Sequence, residues 1–194
     1  MQLVIKDLYP SKAQFDKGEK IVIIVEVEGT VEENYIICNI YKLHKNIISM
    51  KKRVNDFENE VLFEFDINSD DTFMAGYGVE VELYENGERF QVITTAFDIL
   101  SSWKYAPRYG FLADFSPEDL CDKDDLKEMN KYHLNVVQYY DWMYRHHNLI
   151  PKEDIFIDPL NRRLSVQTIK EKIRLTHKYN MKAMGYGAVY AAAP

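Results

Sequence analysis

The sequence contains few of the residues on which several large classes of protein depend. It has two cysteines in 194 residues, Cys38 and Cys121, whereas a disulfide framework or a cysteine-rich metal site needs more. We therefore expect both cysteines to be buried thiols. No apolar run approaches the roughly 20 residues that a membrane-spanning helix needs. The sequence predicts no membrane insertion.

An excess of positive charge is also missing. The chain has 24 Lys and Arg against 31 Asp and Glu, a formal charge of -7 at pH 7. Because such a surface repels phosphate backbones, we expect no nucleic acid partner. The start, MQLVIKDLYPSKAQF, lacks the basic and apolar segments of a signal peptide. The chain is therefore predicted to be cytoplasmic, and secreted only if a signal lies upstream; its oligomeric state is left open.

Short alternating strands dominate residues 1–100. In YGVEVELY, apolar residues recur at every second position, which is typical of a half-buried antiparallel strand. The pair Asn86-Gly87 that comes next favours a type I′ hairpin turn. About seven such runs occur in about 100 residues, and this pattern predicts an immunoglobulin-like β-sandwich. The cysteine pair of antibody domains is absent, so the prediction concerns architecture alone.

Strands and helices alternate after residue 100. YGFLADF, NVVQYY and KAMGYGAVY are predicted strands. Ser116 with Asp119 favours a helix start after the first strand, and Ser165 predicts a second helix that Asn180 ends in a left-handed turn. This order predicts a parallel sheet with right-handed crossovers, either a doubly wound sheet or a (β/α) barrel.

The segment NVVQYYDWMYRHHNLIP, residues 135–151, concentrates rings at the end of a strand. Function in both folds lies at the carboxyl ends of the strands. Aromatic faces stack on the apolar faces of sugars, while carboxylates and amides bond sugar hydroxyls, so the sequence favours a carbohydrate site. The residues at or just past the three strand ends are Asp114 with Phe115, then Asp141, Trp142, Tyr144 and Arg145, and finally Tyr186 with Tyr190.

Several of these residues have a structural alternative. Trp142 and Tyr144 could be packing residues, because large aromatic side chains commonly serve cores. Arg145 paired with Asp141 or Asp158 would be an ordinary salt bridge.

A metal site is not indicated. His146 and His147 are adjacent, so they point apart in an extended segment, and no third ligand stands at metal spacing. The sequence therefore predicts no metal and no cofactor. Asp114 and Asp141 could suggest the acid and nucleophile of a glycosidase, although spacing alone does not show that they approach each other.

Four segments in order carry a family resemblance: YGFLADFS, MNKYHLNVVQYYDWMYRHHNLIP, DPLNRRLS and MKAMGYGAVYAA. They resemble the beginning of the catalytic barrel of glycoside hydrolase family 66, the dextranases and cycloisomaltooligosaccharide glucanotransferases. The resemblance implies a multi-domain β plus α/β chain: an immunoglobulin-like β-sandwich (1–100), then the first three strands and two helices of an incomplete (β/α)8 TIM barrel (101–194). It also implies cleavage or transfer at internal α-1,6-glucosidic linkages of dextran or isomaltooligosaccharides, with retention of configuration.

The resemblance implies that no catalytic residue lies in this chain. The aspartate nucleophile and glutamate acid/base of the family belong to later strands, and the chain has three predicted barrel strands against eight in a closed barrel. We therefore expect the 194-residue chain alone to be inactive and to supply part of the wall of the substrate cleft. The substrate-binding residues expected in that wall are Asp114, Gln138, Tyr140, Asp141, Trp142, Tyr186 and Tyr190. The alternative is a non-catalytic carbohydrate-binding or interaction protein built on the β-sandwich.

Overall fold

A computed structural model describes residues 2–29, 34–55, 59–68 and 73–187. The chain is mostly β-structure and forms two compact units, Met1–Ala106 and Pro107–Pro194. The first unit has seven strands: β1 (Val4–Pro10), β2 (Ile21–Glu28), β3 (Tyr35–Lys42), β4 (Lys45–Arg53), β5 (Glu60–Phe65), β6 (Met74–Glu85) and β7 (Glu88–Leu100). All seven runs predicted as strands are therefore confirmed.

The seven strands form two antiparallel sheets, in the orders β1-β2-β5 and β4-β3-β6-β7. Alternate side chains of each strand point to one face, and those faces share one hydrophobic core. Val25 and Phe63 of the first sheet belong to the same buried cluster as Ile40, Val81 and Phe97 of the second. The apolar residues that alternate along the sequence thus form the core between the two sheets.

The hairpin between β6 and β7 has the turn that its sequence predicts. Asn86 and Gly87 have φ angles of 51° and 84°, both positive as a type I′ turn requires, and Glu85 pairs with Glu88. Beyond this turn Phe90 is left out of the register, because Tyr84 pairs with Arg89 while Leu83 pairs with Gln91. The extra residue makes a β-bulge.

The second unit contains a parallel sheet, a short hairpin and two α-helices. Its elements are β8 (Tyr109–Leu112), a 3-10 helix (Pro117–Cys121), α1 (Asp124–Lys131), β9 (Val136–Tyr139), β10 (Ile155–Ile157), β11 (Arg163–Ser165), α2 (Val166–Lys178) and β12 (Lys182–Gly185). The parallel sheet has the order β12-β9-β8, which confirms the predicted parallel pairing. The β10-β11 hairpin was not predicted. Within the described residues, neither helix has the length and apolarity to cross a bilayer.

The helices follow the predicted signals in part. Ser165 accepts a hydrogen bond from the Thr168 N–H, and Asn180 has φ 56°, so both predicted ends of α2 are confirmed. The capping box of Ser116 and Asp119 is also present. It begins a 3-10 helix instead of α1, because Asp122 is extended (φ -72°, ψ 124°) and interrupts the helical path.

The parallel sheet has two different faces. Its helix face, defined by Gly110, Leu112, Val137, Tyr139, Ala183 and Gly185, meets the helical layer. The Tyr139 hydroxyl lies 2.7 Å from Thr176 Oγ1 of α2, and a Cβ on Gly110 would come within 2.6 Å of Leu134. The alternate residues Tyr109, Phe111, Gln138 and Met184 define its open face, on which Phe111 is 65% exposed.

A buried lysine joins α2 to the segment around α1. Lys172 is 1% exposed, and its Nζ donates to Asp125 at 2.8 Å and to Asp122 at 3.4 Å. Burial opposes the charge on Lys172, but the bonds and charges of Asp125 and Asp122 outweigh it and raise the pKa of the ammonium. The N–H of Asp124, together with Lys172, holds the pKa of Asp122 below its usual range.

Removing this ammonium should destabilise the second unit. We expect Lys172→Ala to lower the free energy of unfolding by about 1.5–3 kcal/mol, the range for hydrogen bonds to charged groups, while Lys170→Ala changes it little because Lys170 is exposed. Urea unfolding followed by Trp142 fluorescence in a Trp103→Phe background measures both.

The same experiment has a defined pH dependence. A carboxylate with a lowered folded pKa stabilises the fold above its ordinary pKa, and this contribution is lost as pH falls through the folded value. The loss of unfolding free energy caused by Lys172→Ala should therefore become smaller below about pH 4. An equal deficit at pH 3 and pH 7 would show that the alkyl stem of Lys172, and not its charge, stabilises the unit.

The two cysteines differ in environment. Cys38 is buried in the shared core, and burial raises the pKa of its thiol to about 12. Cys121 is exposed, so the prediction that both thiols are buried was wrong for this one. The reason is local: the 3-10 helix that Cys121 ends buries none of its residues.

Thiol labelling separates the two cysteines. At pH 8 we expect Cys121 to react rapidly with an aromatic disulfide reagent, and Cys38 to react only after denaturation, because the thiolate is the reactive form and burial suppresses it. Cys121→Ser should abolish the fast phase and leave the slow one. Two fast thiols in the folded protein would contradict the buried position of Cys38.

Candidate functional site

The carboxyl ends of β9 and β12 bring two tyrosines together. The Tyr140 N–H donates to Leu112 O at 2.8 Å and the Tyr186 N–H to Tyr139 O at 3.0 Å, so each residue continues the sheet pairing beyond its strand. Their ring centroids lie 4.7 Å apart at an interplanar angle of 41°. Alternation places both on the side of the open face, and Tyr140 is 41% exposed. This aromatic pair is accessible at the edge where parallel folds bind ligands.

Trp142 lies on the other side of the sheet. Its indole N–H donates to Tyr186 O at 3.0 Å, and a Cβ on Gly185 would lie 3.4 Å from the indole nitrogen. Because Gly185 belongs to the helix face, Trp142 packs behind the aromatic pair. Through these contacts Trp142 holds the end of β12 in place. Direct stacking of Trp142 on a sugar stays a prediction.

An apolar hollow of about 400 Å³ occupies the helix face beside Trp142. It lies between α2, represented by Ile169 and Ile173, and the loop residues Leu149 and Ile150. Tyr140 and Tyr186 do not line it. The hollow is therefore a different feature from the aromatic pair.

The chain turns sharply at Asp141. Its φ of 48° is left-handed, a conformation uncommon for residues other than glycine, although aspartate adopts it more readily than most. Residues two apart in an extended strand share a face, whereas Tyr140 and Trp142 lie on opposite sides of the sheet. The left-handed Asp141 makes that reversal possible.

An ion pair with a buried carboxylate lies beside this turn. The Asp158 side chain is 0% exposed and accepts from Arg162 Nε and Nη2, both at 2.7 Å. Arg162 Nη2 also donates to Asp141 O at 2.9 Å. The alternative that pairs Arg145 with Asp141 or Asp158 was wrong, because Arg145 donates instead to the carbonyls of Tyr144 and Ile157. The segment DPLNR contained the signal: an acid four residues before an arginine, with a turn-forming asparagine between them.

Comparison with known proteins shows the family of this chain. The model of Glycosyl hydrolase family 66 matches residues 10–194. This chain belongs to glycosyl hydrolase family 66. The family identified from the sequence is thereby confirmed.

The family 66 chain is similar to two cycloisomaltooligosaccharide glucanotransferases of Niallia circulans. It is 28% identical to one over 200 residues and 26% identical to the other over 202 residues, in each case across 97% of this chain. The chain spans 20% of the length of each of these relatives.

A solved structure has a similar fold. The cycloisomaltooligosaccharide glucanotransferase of Paenibacillus sp., solved in complex with cycloisomaltoheptaose, superimposes with a TM-score of 0.81 and 27% identity. The match covers 94% of this chain and 27% of that one. The family 66 chain therefore has a fold similar to that of part of a longer chain.

The remaining predicted site residues of the family 66 chain are scattered. Gln138 lies on the open face, where it pairs with Phe111 of β8 and Met184 of β12. Asp114 lines a separate hollow of about 460 Å³ along β8, to which Asp141 does not contribute. Tyr190 lies outside the described residues. The structure thus brings the rings of Tyr140 and Tyr186 into contact, with Asp141 next to Tyr140 in the chain, whereas Asp114 lines a different hollow.

The histidine pair does not form a metal centre in the described part of the chain. No group of three or more His, Cys, Asp or Glu side chains is placed to hold an ion there. His146 Nδ1 is buried and has no hydrogen-bond partner, and nothing in the structure explains this. His133 follows the end of α1 and has φ 59°, so it does not belong to that helix.

Proposed function

We propose that this chain is the amino-terminal part of a retaining, dextranase-like glycoside hydrolase that acts on internal α-1,6-glucosidic linkages of dextran. Its own contribution is part of the wall of the substrate cleft. The observation that supports this most directly is the exposed Tyr140–Tyr186 pair at the carboxyl edge of the parallel sheet, in a chain that matches family 66 over residues 10–194.

The proposal includes a division into an immunoglobulin-like β-sandwich (1–100) and the first part of a (β/α)8 barrel (101–194). Two sheets that share one core support the first assignment. In the second, β8, β9 and β12 lie side by side in chain order, as successive strands of a barrel do. The exposed apolar side chains of the open face, such as Phe111 and Met184, are then those that fill a closed barrel.

The wall residues have distinct roles in this proposal. The rings of Tyr140 and Tyr186 stack on the apolar faces of glucosyl units, since aromatic side chains offer a large flat contact at small cost in side-chain freedom. The Asp141 carboxylate and the Gln138 amide bond the hydroxyls at the rims of the sugar rings. Trp142 holds Tyr186 in place through its bond to the Tyr186 carbonyl, and Asp114 borders the neighbouring strand end. Tyr190 is proposed to contact the sugar as well.

The reaction itself belongs to residues outside this wall. Retaining glycosidases use a carboxylate nucleophile and a carboxylic acid that exchanges a proton with the leaving oxygen, which requires neither metal nor cofactor. Both groups are proposed to come from later strands of the family barrel. Residues 1–194 bind and orient the glucan.

The alternative is a non-catalytic sugar-binding protein built on the β-sandwich. The β-sandwich supports this alternative less well than the parallel sheet supports the proposed enzyme. Its outer surface carries a stacked pair, Tyr35 and Tyr84, with centroids 4.8 Å apart and rings 9° from parallel. One face of Tyr35 is covered by Tyr84 and the other by Lys51 Nζ, 3.3 Å from the ring centroid. Because both faces of Tyr35 are occupied, this ring presents no free stacking surface.

Dextran hydrolysis, measured as release of reducing sugar, tests the proposed function. We compare the 194-residue chain with a version extended to the length of its family relatives. Activity is expected in the extended protein alone, because the nucleophile and acid/base are proposed to lie on later strands.

Two outcomes would contradict the proposal. An extended protein that is inactive on dextran and on isomaltooligosaccharides would refute the substrate class. Activity in the 194-residue chain would place a working acid and nucleophile within it, and Asp114→Asn and Asp141→Asn would then be the first variants to assay.

A further inference from the structure

One guanidinium contacts the backbone at two strand ends. Arg162 donates from Nη2 to Asp141 O at 2.9 Å, two residues past the end of β9. It also donates from Nη1 to Ala113 O at 3.4 Å, one residue past the end of β8. Its Nε and Nη2 face the carboxylate of Asp158. A planar fork of donors suits such simultaneous contacts, which a lysine ammonium cannot reproduce.

Asp158 also builds the turn that presents Arg162. Its Oδ1 accepts from the N–H groups of Leu160, at 2.9 Å, and Arg162, at 2.7 Å, while its own N–H donates to Arg162 O at 3.0 Å. Asn161 adopts φ 62° within this turn. The buried carboxylate thus holds both the guanidinium group and the backbone of Arg162 in position.

The conformation of Asp141 determines on which side of the sheet Trp142 lies. A left-handed aspartate is less stable than an extended one unless its surroundings hold it, and the bond from Arg162 does so. If Asp141 relaxed to an extended conformation, Trp142 would move to the side of Tyr140. The indole N–H would then lose Tyr186 O, its acceptor.

We propose that Arg162, presented by Asp158, is a positioning residue that sets the relative placement of the Tyr140 and Tyr186 rings. It acts through the left-handed turn at Asp141 and through the bond from Trp142 to Tyr186 O. The part of this inference in which the two rings bind a glucan rests on the proposed function. The part that concerns the turn does not.

The turn is tested in the 194-residue chain with ¹⁵N-labelled tryptophan. The chain has two tryptophans, so Trp103 is an internal reference for Trp142 in the indole region of the proton–nitrogen spectrum. Arg162→Lys keeps a positive charge that can pair with Asp158, but it lacks the planar set of donors with which arginine also reaches Asp141 O. We expect it to shift the Trp142 indole resonance in the direction of a lost hydrogen bond and to leave Trp103 in place.

Arg163→Lys is the matched control. Arg163 is the next residue and pairs with the exposed Glu118 at 2.7 Å, so its variant should move neither indole. An unmoved Trp142 resonance in folded Arg162→Lys would overturn the inference, because Arg162 would then stabilise the fold without setting the turn. Arg162→Gln repeats the test without the charge.

Sugar binding is tested in the extended protein. We expect Arg162→Lys to raise KM for isomaltooligosaccharides by about tenfold, since small displacements of binding groups are costly, with a smaller change in kcat and no change in Arg163→Lys. Unchanged KM in a variant whose indole has moved would overturn the role in binding. A wild-type protein that neither binds nor cleaves the sugar refutes the proposed function instead, and the indole spectrum still decides whether Arg162 positions the turn.

Discussion

The left-handed turn at Asp141 is the constraint on which the carboxyl edge of the parallel sheet depends. Before it, Tyr140 continues β9 on the open face; after it, Trp142 packs on the helix face and bonds the end of β12. A chain that stayed extended there could not do both. The guanidinium of Arg162, which the buried Asp158 carboxylate holds in place, stabilises this conformation by donating to the Asp141 carbonyl.

The rest of the second unit supplies a frame for this turn. Three parallel strands place successive carboxyl ends side by side, and Tyr139, through its hydroxyl, joins the central strand to α2. Lys172 joins α2 in turn to the segment around α1. The aromatic pair therefore stands on strands and helices and not on a free loop, which suits a binding surface that must keep its geometry.

Local signals in the sequence predict most elements of the fold. Alternation predicts the buried face of β6, and single capping or turn residues such as Asn86, Ser165 and Asn180 act within a few positions, so their effects can be inferred from sequence. The position of Trp142 behind the sheet and the partner of Asp158 could not be inferred in this way. Both depend on groups brought together from separate segments, and alternation is lost at Asp141, where φ becomes positive.

The most direct test of the central claim compares Tyr140→Ala with Trp142→Ala in the extended protein, by calorimetric titration with an isomaltooligosaccharide and by thermal unfolding. If the open face binds the glucan, Tyr140→Ala should weaken binding by roughly 1 to 3 kcal/mol, as other aromatic anchors do, with little change in melting temperature. Trp142→Ala should lower the melting temperature. Wild-type affinity in Tyr140→Ala would contradict the account, because the exposed aromatic pair would then not contact the sugar.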